Sequence, residues 1–169
     1  VEVRAEVASL LRSLNVTSVF VTHDQDEAFA LGDQVAVMNE GKVIQQEAPS
    51  NVYNHPVDRW VAGFVGEANT VSGVATGKQA ETAFGSINLC HDAQGHVDVL
   101  VRPEEISLTI GDMAIIIRTD FFGHDSLYTL RTDEGHEFMC RSAGTPIHQI
   151  GDRVDIQHSG ATTVSFPIE

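Results

Sequence analysis

Cations, cysteines and long apolar runs are scarce in this 169-residue sequence. Lys and Arg number 10 against 24 Asp and Glu, a formal net charge of −14. Such a surface repels a phosphate backbone, which argues against nucleic acid as a partner. The same acidity argues against direct docking on anionic lipid. The two cysteines, Cys90 and Cys140, stand in unrelated contexts. Neither lies in a CxxC pair, and they make no disulfide framework, so they read as reduced thiols. No apolar run reaches the roughly 18 residues of a membrane helix. No basic segment followed by an apolar one opens the chain, so no secretory leader is expected. Aromatics are 7% of the residues. Without basic neighbours they offer no stacking platform for bases.

Apolar residues make up 42% of the chain, a globular composition. The length suits one to two domains with a real core. Val3, Val7, Leu10, Leu11 and Leu14 recur at helical spacing from the first residues onward, with no cap residue before them. The chain therefore reads as a segment cut in or just before a helix at Val1, and Asn15 as a short connection. Residues 17–21, TSVFV, are β-branched and apolar, and are expected to form a buried strand of an α/β layer. A helix over about 25–31 follows, ending at Gly32. Residues 33–39 and 42–47 form a hairpin around Glu40-Gly41, with Met38 in the core. Pro49 opens a short helix. Another covers 57–64, with Trp60, Val61 and Phe64 on one packed side.

The character changes at residues 66–77. Beyond them come short strands separated by turn signals at 92–95, 111–112, 123–125, 133–135 and 151–152. Many short strands at such spacing mean a small barrel or sandwich. Two domains are expected, 1–65 and 66–169.

The stretch Val19 to Asp33, VFVTHDQDEAFALGD, carries the strongest chemical signal. Asp24 can cap the helix, with Glu27 as its capping-box partner, and acids in a first turn suit the helix dipole. That local logic accounts for Asp24, Asp26 and Glu27. It leaves His23 unexplained. A histidine at a strand end of an α/β sheet stands where ligands of such sheets bind, and an imidazole can donate to a phosphate oxygen or orient a water.

The run Val21-Thr22-His23-Asp24-Gln25-Asp26-Glu27-Ala28 resembles the switch-histidine segment of ATP-binding subunits of ABC importers. The resemblance continues through Asp33, Val37, Gly41, Lys42, Gln45, Pro49, Tyr53, Pro56 and Phe64. Beyond residue 66 the marks are Val101-Arg102-Pro103-Glu104, Phe122-Gly123-His124 and Gly151-Asp152-Arg153-Val154. These are similar to the TOBE-type regulatory barrel of the same importers. The implied fold class is an α/β fragment of a P-loop ATPase domain followed by an all-β OB-like barrel. The resemblance implies that His23 contacts the γ-phosphate of ATP and aligns the attacking water. Asp26 or Glu27 would approximate an acidic partner at the subunit interface, and Arg102 and Glu104 a structural corner of the barrel.

GxxxxGK[ST] is absent, as are the family's serine-glycine-glycine-glutamine signature and its magnesium-holding Asp-Glu strand. These parts are expected before residue 1. The chain alone is therefore expected neither to bind nor to hydrolyse ATP, whereas the intact subunit would use ATP and magnesium. The resemblance also implies a membrane permease and a second copy of the ATPase as partners, at the cytoplasmic face of the plasma membrane. Iron, sulfate, polyamine and sugar importers all fit. The barrel marks lean toward inorganic ions, ferric iron among them. The alternative is a non-enzymatic barrel that senses a small oxyanion or binds protein.

The remaining candidates read as ordinary structure. No metal site is expected from the scattered histidines, because no spacing forces several ligands together. Phe121 and Phe122 should point to opposite faces, one into the core. Asp98, Asp120, Asp133, Glu134 and Asp155 read as a solvated acidic face.

Overall fold

The computed structural model describes residues 2–14 and 16–168, so the expectations placed on Val1 and Asn15 fall outside it. Two compact units divide the chain, Val1–Gly66 and Glu67–Glu169. The fold class is a mixed α/β region followed by a curled antiparallel barrel of OB type.

The first unit opens with helix α1, Glu2–Leu14. Its stripe is uncovered at Leu10 and Leu14, both about three-fifths exposed at 59% and 60%. The expected strand at 17–21 does not form. Residues 16–21 run as irregular chain, and Val19 and Val21 are almost wholly exposed. The reason is the absence of a ladder. A β-branched run becomes a strand only when neighbours take its N–H and C=O groups. Among the described residues the unit's one sheet is a two-stranded hairpin formed elsewhere.

That hairpin joins β1, Val35–Asn39, to β2, Lys42–Glu47. Its turn holds Glu40 at φ 47° and Gly41 at φ 77°, the left-handed pair that a two-residue hairpin turn demands. Val37 is buried, but Met38 is exposed, so its expected core place is corrected. Side chains alternate along a strand, and the face with Val37 is the one that packs. Helices α2 (Gln25–Leu31), α3 (Pro49–Asn54) and α4 (Arg59–Phe64) complete the unit. Val37, Val52, Val61 and Val65 form its core, with Phe29, Val35, Ile44 and Tyr53 packed against it. On α4 the buried side is Val61, Ala62 and Val65. Trp60 and Phe64 lie outward and stack on each other, ring centroids 4.9 Å apart, which corrects their expected place on the packed side.

The second unit starts with a long hairpin of β3, Asn69–Thr82, and β4, Gly85–Val101. The expected turn at 92–95 is instead a bend inside β4. Ala75 pairs with Gly95 and Gly77 with Ala93, and both glycines have positive φ. A glycine on each strand, two register positions apart and each paired with an alanine, lets the ribbon curl without breaking. Gly73 lies so close to the Glu81 carbonyl that a Cβ would meet it at 2.7 Å, a measure of how sharply β3 curls.

A short 3₁₀ turn, Pro103–Glu105, leads into β5, Ile106–Phe121. The expected turn at 111–112 is likewise a bulge within β5. Pairing with the later strand skips from Ile110 to Ala114, and the Asp155 carboxylate sits over Gly111, accepting from the N–H groups of Asp112 and Met113. Strands β6 (Asp125–Thr132), β7 (Glu137–Ala143) and β8 (Arg153–His158) build a sheet in the order β7-β6-β5-β8. A last strand, β9 (Ser165–Pro167), pairs with β4 to give β3-β4-β9.

The barrel core is continuous, with Ile87, Val99, Ile116, Tyr128, Leu130 and Val154 all essentially buried. The expectation for Phe121 and Phe122 is corrected: both are exposed, Phe121 as the last residue of β5 and Phe122 in the turn after it. The acidic face is corrected in part. Asp98 is buried and accepts from Ser72 Oγ, and Asp155 is bound to backbone as above.

Candidate functional site

The His23 segment is built by the start of α2. Asp24 is the N-cap, in an extended conformation, and its Oδ1 accepts the N–H of Glu27 at 3.1 Å. This bond satisfies one of the orphan donors of the first turn. Gly32 ends the helix, its N–H donating to the Ala28 carbonyl. A separate tie comes from Gln25, whose Nε2 donates to the Phe64 carbonyl.

Thr22 takes part in the other half of the capping arrangement. Thr22 Oγ1 accepts the Asp24 N–H at 3.0 Å and donates to Glu27 Oε2 at 2.6 Å. A hydroxyl thus bridges cap and glutamate. The sequence reading passed over Thr22; a hydroxyl two residues before an N-cap acid, with a glutamate three residues after it, is the signal that finds it.

His23 lies between these anchored residues, with its side chain exposed and without a hydrogen bond among the described residues. Asp26 is exposed, whereas Asp24 and Glu27 are half-buried. Chemically, the arrangement offers one imidazole on a backbone pinned at both neighbours.

Arg102 and Glu104 belong to the other unit. Arg102 is buried, 3% exposed. Its backbone N–H donates to Glu105 Oε2 at 2.8 Å, and its guanidinium donates to the Glu67 carbonyl at 2.9 Å. Glu104 is exposed on the 3₁₀ turn. Arg102 thus ties the turn to the start of the unit by polar bonds.

Two further groups in the barrel went unread in the sequence. Arg141 donates to Glu67 Oε2 at 2.6 Å and to Asp125 Oδ2, and its guanidinium lies 5.4 Å from the centre of the Phe122 ring. These carboxylates hold its pKa above the ordinary arginine value. The pairing joins residues 74 apart in sequence, so no local pattern announces it. His158 has a nearly buried side chain. Its Nδ1 accepts the Gly160 N–H at 3.2 Å, and its Nε2 lies 4.0 Å from Glu105 Oε2. Burial lowers its pKa, opposed by the Glu105 charge.

A half-open cavity of about 280 Å³ lies at the seam between β5 and β7, lined by Ile106, Leu108, Tyr128, Cys140, Ser142 and His148 among others. Tyr128 lines it. The tyrosine hydroxyl accepts the Ile147 N–H at 2.9 Å, which ties the loop carrying Ile147 to β6.

Residues 99–166 match the TOBE domain family. Across 171 aligned residues, 92% of this chain, the sequence is 32% identical to a protein of Ruegeria pomeroyi named spermidine/putrescine import ATP-binding protein PotA. A protein of the same name from Acetivibrio thermocellus is 40% identical over 111 residues, 63% of this chain. The alignments take in 47% and 32% of those two relatives, so the chain spans at most about half the length of either. The chain is thus similar along most of its length to an import ATP-binding protein, and its second unit carries the TOBE match.

Proposed function

We propose that this chain is the C-terminal portion of the ATP-hydrolysing subunit of an ABC importer, its first unit a remnant of the nucleotide-binding domain and its second a regulatory and dimerisation barrel. The observation that carries this reading is His23, exposed at the head of a capped helix, in a chain similar along most of its length to import ATP-binding proteins. In this role His23 donates to the γ-phosphate and orients the attacking water, stabilising charge that develops on the transferred group. Asp24 holds the helix start that presents it. The phosphate cradle and the magnesium ligands would come from sequence not contained here, since no GxxxxGK[ST] occurs among these residues. A membrane permease and a second ATPase copy complete the machine, placed at the cytoplasmic face of the membrane. The names of both relatives favour a polyamine as the transported solute over the ferric iron suggested by the barrel marks.

Calorimetry with magnesium and ATP tests this, on the 169-residue chain and on the full-length subunit. Binding by the full-length subunit alone is the expected result. Binding by the shorter chain, lost in His23→Ala, would mean that a phosphate cradle lies within these residues and would overturn the reading.

A sensing role for the barrel has one observation in its favour, the half-open cavity at the β5–β7 seam. A small oxyanion bound there with defined stoichiometry would support it.

A further inference from the structure

We infer that Thr22 and Glu27 are positioning residues for His23, an inference that rests on the proposed role of His23 at the γ-phosphate. Three bonds close a ring around the histidine. Thr22 Oγ1 donates to Glu27 Oε2 at 2.6 Å, Thr22 Oγ1 accepts the Asp24 N–H at 3.0 Å, and Asp24 Oδ1 accepts the Glu27 N–H at 3.1 Å. Both sequence neighbours of His23 are members of the ring, and His23 itself is not. Its backbone is held from either side while its imidazole stays exposed and uncommitted. A group that must meet a phosphoryl oxygen needs this combination: a fixed origin, and a side chain not spent on internal bonds.

The residue types follow from the chemistry. The atom between Asp24 and Glu27 must accept an N–H and donate to a carboxylate at once. A hydroxyl does both, and a methyl does neither. Serine can replace threonine here, and valine cannot. The carboxylate must reach back from the first turn of α2 to a residue five positions earlier, a reach that Glu27 has and alanine lacks. This use also separates the two acids that the sequence leaves equivalent. Glu27 is engaged inside its own loop, so Asp26, exposed beside it, is the one left to face another subunit.

The test uses the full-length ATPase subunit that carries this segment, measuring ATP hydrolysis and ATP affinity. Thr22→Val is expected to lower kcat about tenfold while KM for ATP moves less than about twofold, because positioning acts on the transition state rather than on ground-state binding. Thr22→Ser should restore kcat. Glu27→Ala should match Thr22→Val, and the double variant should be no slower than either alone, since both remove one shared bond. In the 169-residue chain, Thr22→Val should speed hydrogen exchange at the Asp24 amide and Thr22→Ser should not. The inference falls if Thr22→Val keeps full kcat while His23→Ala loses it; the reading of His23 would then stand alone. It also falls if Thr22→Val loses ATP binding together with turnover, which would mark a general structural role. Full activity in His23→Ala would instead remove the reading of His23 itself, and the inference with it.

Discussion

Thr22 and Glu27, five positions apart, meet through a 2.6 Å hydrogen bond that turns the start of α2 into a closed loop around an exposed histidine. Asp24 is the third member of this loop, donating its N–H to Thr22 and accepting the Glu27 N–H. Asp24→Ala should therefore loosen the helix start by about 1 kcal/mol, the usual loss for an N-cap acid. Faster amide exchange at Glu27 and Ala28, with the barrel unit unchanged, is the expected result. Unchanged exchange would show that the Thr22 bond alone holds the turn.

His158 gives the barrel an acid-sensitive corner. Its Nδ1 accepts from Gly160, so a proton placed there opposes that bond, and burial already lowers its pKa below the ordinary 6.5. The unfolded chain then takes up the proton first. Stability should be flat above the ordinary value and fall as pH drops through it toward the lowered folded value. Urea midpoints of the barrel, followed from pH 7.5 down to about 5, should show a shallower acid slope in His158→Phe than in the parent chain. Identical slopes would place the acid sensitivity in the carboxylates.

The thiols should separate cleanly. Cys90 is exposed, whereas Cys140 is buried and its pKa is pushed up to about 12 by desolvation. Reactivity belongs to the thiolate, so a disulfide reagent at about pH 8 should modify one thiol per native chain and two in denaturant. Two reactive thiols in the native chain would mean that the β7 face opens.

Arg141 should be worth more than an ordinary surface cation. It neutralises Asp125, whose carboxylate is almost wholly buried, as well as the more exposed Glu67. Removing it leaves the Asp125 carboxylate, among the described residues, with only the exposed His124 ring beside it, Nε2 at 3.5 Å from Oδ1, and Arg141→Ala should cost about 2 to 3 kcal/mol of barrel stability in urea unfolding. Arg141→Lys should recover only part, because one ammonium cannot span both carboxylates. A loss no larger than that of Arg131→Ala, which breaks an exposed pair, would refute this.

Much was legible in the order of the residues, where the cause is local. Asp24 and Gly32 fix the ends of α2 because caps act within one turn, and Glu40-Gly41 fixes the hairpin because the turn demands positive φ. The all-β second unit follows from its closely spaced turn signals, although three of its strands run 14, 17 and 16 residues rather than short, and His23 stands out because the capping logic explains each acid behind it and leaves it over. What stayed hidden depends on partners far away in sequence, or on their absence. Residues 17–21 have strand chemistry and no ladder, so they remain irregular. Glycines at 95 and 111 look like turns from one strand, but paired neighbours carry the chain through them as bends. Arg141 meets Glu67 only once β7 has folded back toward the start of its unit. The sequence by itself determined caps, turns and the chemistry that His23 can offer, because these act over a few bonds. Only the tertiary structure decided which apolar runs are buried and which charges meet, because burial and long-range pairing belong to the packed chain rather than to any stretch of it.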